Sequence, residues 1–219
     1  MTDSLSIDPA ATLWSTGDRA GKPVLLLLHG YGADERDLFG LVPYLPDGIA
    51  IAALAAPLTP PWPMPGRSWY PIDDLSGRDS GAITVAAESV LAWLDAEAAD
   101  AASVALLGFS QGAAVSLQAL RLAPARVQAV VALSGYAAPG ALPNDPVLQE
   151  TRPPVFWGRG SHDDVIPPHL IDHTAQWLPD HSELSGRVYQ GLTHSISEDE
   201  LADVRTFVTK WRDADRSDA

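Results

Sequence analysis

The sequence predicts a single-domain α/β fold with a mostly parallel central sheet and helices on both of its faces. Three observations predict it. Short apolar runs alternate with longer helical segments, the apolar runs show no polar alternation, and 219 residues are enough for one domain with a full core. A parallel sheet covered on both sides buries both faces of its strands, so uninterrupted apolar runs are expected. We therefore treat residues 1–219 as one domain.

Strands and helices are predicted to alternate along the chain. The candidate strands are 24–28, 49–54, 104–107, 127–133, 155–157 and, more weakly, 187–189, and the candidate helices are 82–99, 111–122, 168–178 and 197–212. Strands joined through helices pair in parallel by right-handed crossovers, and ligands bind beyond the carboxyl ends of such strands. Functional side chains are therefore expected in the strand-to-helix loops.

Proline and polar residues mark several of these helix boundaries. Pro124 closely follows the second helical segment, Pro167 and Pro168 suit a first turn, and Ser197 with Glu200 matches a capping box. The last residues, 213–219, are expected to form a flexible, solvated tail.

The segment 57–79 is predicted to be a loop, because its prolines exclude a helix or a central strand over most of its length. Its large apolar side chains have two equally weighted interpretations, a substrate-binding wall or a cap on the core. Under the first interpretation, Trp62, Met64 and Trp69 are substrate-binding candidates.

Composition excludes several classes of function. The net charge of −14 and the pI near 4.6 disfavour nucleic acid and anionic lipid surfaces as partners. The absence of cysteine excludes disulfides, a thiolate nucleophile and cysteine-based metal sites. Residues 1–21 show no basic region followed by an apolar stretch, and the run 24–28 is too short to span a bilayer. We expect a cytoplasmic protein without stable membrane insertion.

The strongest motif is Gly-Phe-Ser-Gln-Gly at 108–112, which matches G-x-S-x-G. Small residues around the serine permit a sharp strand-to-helix turn that exposes its hydroxyl. The predicted strand 104–107 and helix 111–122 lie where this turn requires them. Ser110 is therefore the candidate nucleophile, although an ordinary serine in a tight structural turn would give the same pattern.

A serine hydroxyl needs a general base and an orienting carboxylate, which in this motif class follow it in the chain. His194 is the only histidine between the last candidate strand and the last helix, so it is the candidate base. Asp163 and Asp164 follow the strand 155–157, and either could orient the histidine. A histidine in an exposed loop is the alternative interpretation of His194.

Backbone amides are expected to stabilise the oxyanion of an acyl-transfer reaction. The Gln111 amide directly follows the serine. The second amide is assigned to Tyr31, in the Gly-Tyr-Gly turn after the strand 24–28. His29, beside that turn, is expected to have a structural function rather than to transfer protons.

These features together resemble the bacterial carboxylesterase, lysophospholipase and acyl-protein thioesterase family of small α/β-hydrolases. The resemblance covers most of the chain, and its most specific part is the combination of Gly-Phe-Ser-Gln-Gly with a later His-Ser before an acidic helix. The matching stretches are 27–34, 56–57, 69–70, 108–112, 132–135 and 193–196.

The resemblance implies a Ser110–Asp163–His194 triad, with Tyr31 and Gln111 as oxyanion amides. The family's Gly-x-x-Asp-x-Val-Val-Pro stretch aligns with 160–167, which selects Asp163 over Asp164 and adds Val165 as a substrate-binding candidate. The sequence departs from the family pattern at three other positions, namely Arg159, Ala113 and Pro71.

The expected activity is hydrolysis of short to medium acyl esters through an acyl-enzyme, with no metal or organic cofactor and with the chain a monomer or homodimer. Lysophospholipid or thioester hydrolysis is the same-class alternative, and the same acyl-enzyme would also permit acyl transfer or perhydrolysis. A catalytically silent ligand-binding protein is a less favoured alternative. A metal site is another, because acidic and histidine side chains cluster at 162–164, 169 and 172–173.

Overall fold

A computed structural model describes residues 5–72 and 79–217, with side chains described to residue 214. The strands are β1 Leu13–Trp14, β2 Val24–Leu28, β3 Ala50–Leu54, β4 Val104–Phe109, β5 Ala129–Leu133, β6 Pro154–Gly160 and β7 Glu183–Tyr189. The helices are α1 Glu35–Phe39, α2 Ser80–Glu97, α3 Gln111–Leu122, α4 Asp145–Thr151, α5 Pro168–His181 and α6 Glu198–Ser217, with 3₁₀ turns at Pro9–Ala11 and Val42–Tyr44.

The seven strands form one sheet in the order β1-β3-β2-β4-β5-β6-β7. Every neighbouring pair is parallel except β1 with β3. The predicted mostly parallel α/β fold is therefore confirmed. The carboxyl ends of β2, β4, β6 and β7 open toward the same edge of the sheet, where the loops that carry the candidate residues begin.

Two hydrophobic layers explain why the central strands lack polar alternation. Along β2, Leu26 and Leu28 pack into the layer that contains α2, α3 and α5, while Leu25 and Leu27 pack into the layer that contains α6. All five residues of this strand are buried. Helices thus cover both faces of the sheet, as the uninterrupted apolar runs predict.

Three short elements were not predicted from the sequence. Strand β1 has two residues, helix α1 has five and helix α4 has seven. Such lengths are too short to display a hydrophobic period. Strand β7 begins at Glu183, four residues before the predicted start, because it is a sheet edge with a mixed burial pattern and thus lacks an apolar run.

The predicted tail over 213–219 is wrong for residues 213–217, which continue helix α6 to Ser217. No glycine or proline interrupts this stretch. Arg212 also anchors the end of the helix, because its Nη1 donates to the Asp47 carbonyl at 2.8 Å. Residues 218–219 lie outside the described part of the chain.

In the described ranges 5–72 and 79–217, no helix combines the length and the apolar character that crossing a membrane would require.

Glu200, in the first turn of α6, is a fully buried carboxyl group. The Ser197 hydroxyl accepts the Glu200 N–H at 3.2 Å, which is one half of the predicted capping box. The carboxylate forms no hydrogen bond with any described residue and lies against Gly158 of β6. Burial, assisted by the nearby charge of Asp203, raises the pKa of Glu200 to about 7.

This burial makes stability depend on pH. Between the ordinary glutamate pKa and about 7 the folded protein binds more protons than the unfolded chain, so its free energy of unfolding falls as pH rises through that range. We expect Glu200→Gln to raise the Tm by about 5 °C at pH 8 and to leave it nearly unchanged at pH 4.5. Thermal unfolding at both pH values measures this. Glu198→Gln, at an exposed position of the same turn, is the control, and an equal shift at both pH values would contradict the explanation.

Candidate active site

Ser110 lies at a sharp turn between β4 and α3, with φ 54° and ψ −114°. A non-glycine residue rarely adopts a positive φ, so this backbone is strained. The Ser110 N–H donates to the Leu133 carbonyl of β5 at 2.9 Å, which ties the turn to the sheet. A Cβ at Gly108 would collide with Gly112, and a Cβ at Gly112 would collide with the Leu28 carbonyl. The glycines of the motif are thus required by close backbone packing.

His194 and Asp163 form a hydrogen-bonded pair beside this turn. His194 Nδ1 and Asp163 Oδ2 are 2.8 Å apart, and the carboxylate side chain is only 1% exposed. The other oxygen, Oδ1, accepts the N–H groups of Val165 and Ile166 at 3.0 and 3.2 Å. Asp164, the alternative acid, is exposed.

The surroundings of Asp163 keep it ionised. Burial by itself would raise the pKa of this carboxyl, but the hydrogen bond and charge of His194 and the two amides together hold the pKa below its ordinary value. The site therefore keeps a negative charge beside Nδ1 of the imidazole at neutral and mildly acidic pH.

Ser110 and His194 line the same cleft, which has a volume of about 310 Å³. The Phe109 ring, next to the serine, packs on the His194 ring with centroids 4.9 Å apart. No hydrogen bond joins Ser110 Oγ to His194 in the described part of the chain. Such contacts are often long without substrate and shorten in the reacting complex.

The backbone amides predicted for the oxyanion site both border this cleft. Gln111 is the first residue of α3, where helical N–H groups have no partner within the helix. Tyr31 lies in the turn after β2. Within residues 5–72 and 79–217, neither the Tyr31 nor the Gln111 N–H donates a hydrogen bond. Two residues with unpaired backbone donors, one in a loop and one at the start of a helix, therefore line the same cleft as Ser110.

Two of the four predicted substrate-binding residues border the cleft. These two residues are Met64 and Val165. Trp62 is 92% exposed and Trp69 is fully buried, and neither borders the described cleft. Their assignment to substrate binding remains a prediction from the sequence. The Trp69 indole N–H instead donates to the His29 carbonyl at 2.8 Å, which supports the core-cap interpretation for this residue.

Sequence reasoning missed most of the apolar wall of the cleft. The Tyr70 and Tyr136 hydroxyls are hydrogen-bonded to each other at 2.8 Å, although 66 positions separate the residues. Tyr136 follows the Ser-Gly pair after β5, a strand-end position that could have indicated it. The missed lining residues are Tyr70, Ile72, Phe109, Tyr136 and Ile166. Residues 73–78 of the predicted substrate loop lie outside the described residues.

His29 is structural, as expected. It is buried, its Nδ1 donates to the Gly30 carbonyl at 2.7 Å, and its Nε2 accepts the Ala56 N–H at 3.2 Å. Burial lowers the pKa of His29, and both ring nitrogens are occupied within the fold. The ring therefore holds the loop after β2 against the segment after β3.

The acidic and histidine cluster at 162–173 does not converge. Asp163 bonds to His194, and no three metal-type side chains come together among residues 5–72 and 79–217. The alternative of a metal site thus has no geometric support in the described part of the chain.

Comparisons with known proteins agree with this geometry. The sequence profile of the Phospholipase/Carboxylesterase family matches residues 14–212. The chain is 36% identical over 107 residues to acyl-protein thioesterase 1 of Saccharomyces cerevisiae, covering 47% of this chain and 47% of that protein. It is 29% identical over 155 residues to a probable carboxylesterase of Oryza sativa subsp. japonica, covering 64% and 57%. The chain thus aligns with about half the length of these two relatives.

A solved structure, that of esterase PE8, resembles the fold over nearly its whole length. The TM-score is 0.71 at 29% identity, and the match covers 94% of this chain and 99% of the other. The fold, the strained serine turn and the profile match lead to the same assignment. The chain belongs to the phospholipase/carboxylesterase family and has the α/β-hydrolase fold.

Proposed function

We propose that this chain is a serine carboxylesterase in which Ser110 is the nucleophile, His194 the general base and Asp163 the orienting acid. One observation carries the proposal. Ser110 of the strained turn and His194, which is hydrogen-bonded to the buried side chain of Asp163, line the same cleft. Family membership supports an esterase, and the site geometry supports the assignment of individual residues.

In the proposed mechanism, His194 Nε2 takes the Ser110 proton while Oγ attacks the ester carbonyl carbon. The tetrahedral intermediate collapses, His194 returns the proton to the leaving alcohol, and an acyl-enzyme remains. Water then loses a proton to His194 and attacks the acyl carbon. The second tetrahedral intermediate collapses, the acid is released, and His194 returns the proton to Ser110 Oγ. Asp163 keeps Nδ1 protonated and stabilises the imidazolium that forms in both steps.

The Tyr31 and Gln111 amides are proposed to stabilise the oxyanion. Both are unpaired backbone donors at the cleft, and donors that need no reorganisation are effective against developing charge. The chemistry described here uses no metal or organic cofactor.

The substrate is proposed to be an ester with a short to medium acyl chain and no anionic group near the ester. The described cleft wall is mainly apolar and carries no lysine or arginine, and the cleft volume is about 310 Å³. A net charge of −14 further disfavours anionic substrates. Met64 and Val165, both on the wall, are proposed to contact the substrate.

Acyl-chain length tests this proposal. For p-nitrophenyl esters from acetate to palmitate, we expect kcat/KM to peak between four and eight acyl carbons, as about 310 Å³ must hold both parts of the ester. The decline beyond the peak is expected to be about tenfold by the longest chain, because the extra methylenes find no enclosed apolar wall. A steady rise to palmitate would contradict the proposal, and His194→Ala measures the background rate.

Thioester hydrolysis is the second candidate, favoured by the 36% identity to an acyl-protein thioesterase. The same triad and oxyanion amides would serve a thioester or a lysophospholipid. Matched oxygen and sulfur esters of one acyl chain separate the activities, because acyl-enzyme hydrolysis is then identical and only the leaving group differs.

We also propose that the protein works in the cytoplasm, as a monomer or homodimer, without nucleic acid as a partner. The acidic surface supports the last point, because a net charge of −14 repels a phosphate backbone.

A further inference from the structure

The two oxyanion amides belong to residues 80 positions apart, and one short stretch of chain, residues 66–70, contacts the surroundings of both. We call this stretch the bridging segment. It follows Met64 of the cleft wall and contains the buried Trp69. Its hydrogen bonds connect the loop that carries Tyr31 with the side chain of Gln111.

On one side, the bridging segment is hydrogen-bonded to the loop that carries Tyr31. The Gly32 N–H donates to the Arg67 carbonyl at 2.9 Å, and the Arg67 N–H donates to the Ala33 carbonyl at 2.8 Å. The Trp69 indole N–H donates to the His29 carbonyl at 2.8 Å. Tyr31 is therefore flanked by hydrogen bonds on both sides, which holds its own N–H in place.

On the other side, the bridging segment is hydrogen-bonded to the side chain of Gln111. Gln111 Oε1 accepts the Trp69 backbone N–H at 3.0 Å, and Gln111 Nε2 donates to the Tyr70 carbonyl at 2.6 Å. The side chain is almost fully buried, so these bonds are shielded from water. Trp69 thus bonds to His29 through its indole and to Gln111 through its backbone.

We propose that the Gln111 side chain is a positioning residue that, through the bridging segment, sets the separation of the two oxyanion amides. The inference rests on the proposed function, since it concerns the transition state of that reaction. The side-chain hydrogen bonds of Gln111 affect only the position of the two amides. The backbone N–H of residue 111 is present with any side chain, so a substitution here does not remove the amide itself. Loss of the side-chain hydrogen bonds should raise the energy of the tetrahedral state more than that of the bound ester.

Gln111→Met tests this inference, because methionine keeps the length and approximate volume of glutamine. It removes the side-chain hydrogen bonds to Trp69 and Tyr70 and also the 3.3 Å bond that Oε1 accepts from the Ser68 hydroxyl. We expect kcat for p-nitrophenyl butyrate to fall about 30-fold, with KM changed less than about threefold, as a displaced oxyanion donor affects the transition state selectively. The inhibition constant of butylboronic acid, which forms a tetrahedral adduct with the serine, should rise by a similar factor.

Gln118→Met is the matched control. Gln118 lies on the same helix, is equally buried, and bonds through its side chain to Thr84 and Arg121, outside the cleft. The Gln118→Met variant should lose thermal stability without a change in kcat or in its inhibition by butylboronic acid. Trp69→Phe removes the indole hydrogen bond and part of the ring volume but keeps the backbone N–H that bonds to Gln111. It is expected to lower kcat about fivefold and keeps the inference testable if Gln111→Met does not fold.

Several outcomes would overturn the inference. Unchanged kcat in a folded Gln111→Met protein would do so, as would a rise in KM alone, which would make Gln111 a part of the cleft wall. Equal losses in the Gln111 and Gln118 variants would indicate a general stability effect. An inactive wild-type protein whose Ser110 resists a fluorophosphonate would instead refute the proposed function, on which the inference depends.

Discussion

Replacing Ser110 with alanine is expected to lower kcat for p-nitrophenyl butyrate by about 10⁵-fold, because it removes the hydroxyl that is proposed to form the acyl-enzyme. The hydroxyl belongs to the strained turn, and Ser110 lines the same cleft as His194, Tyr31 and Gln111. Steady-state kinetics with a mass-spectrometric assay of fluorophosphonate labelling measure the effect. Wild-type protein should take up one label, and the variant none.

Ser134→Ala is the matched control for this experiment. Ser134 also follows a strand of the sheet, is buried and has a positive φ of 46°, but it does not line the cleft. Its replacement should leave kcat within about threefold of wild type, since Ser134 does not line the cleft. Substantial activity or labelling in Ser110→Ala would assign the nucleophile elsewhere and remove the basis of the proposed mechanism.

Asp163→Asn is expected to lower kcat about 10³- to 10⁴-fold while the fold is retained. Asparagine has nearly the shape of aspartate and keeps an oxygen for the Val165 and Ile166 amides. It removes the negative charge that stabilises the imidazolium, and its amide can donate to His194 Nδ1, which favours the wrong tautomer. Stopped-time assays at neutral pH, with circular dichroism to verify folding, measure the change.

Asp164→Asn is the control, because Asp164 is adjacent in sequence but exposed, whereas the Asp163 side chain is 1% exposed and bonded to His194. We expect its activity to equal that of wild type within about twofold, as for a surface substitution. A large loss in Asp164→Asn with little loss in Asp163→Asn would reverse the assignment of the orienting acid.

The sequence predicted the features whose signal is local. Strand β2 has the predicted bounds because five consecutive apolar residues indicate a strand buried on both faces. Helix α3 also has its predicted bounds, because Gly-x-Ser-x-Gly fixes where it starts and Pro124 follows its end. The same motif placed Ser110 between a strand and a helix.

The sequence does not predict burial that depends on distant residues. Trp62 and Trp69 belong to one proline-rich loop and are chemically identical, yet one is exposed and the other lies in the core. No local pattern distinguishes them, since the difference arises from the contacts of Trp69 with His29 and Gln111, about 40 positions away. The Tyr70–Tyr136 hydrogen bond and the buried carboxyl of Glu200 were missed for the same reason.

The sequence by itself determined the order of strands and helices, the serine turn and the acidic character of this protein. Only the tertiary structure decided which loop side chains line the cleft and which hydrogen bonds join Gln111 and the loop of Tyr31 to residues 66–70. Hydrophobic periodicity and backbone steric effects involve residues that are close in sequence, so the sequence alone reveals them. Hydrogen bonding and burial act between residues close in space, and the fold must be known before those neighbours can be named.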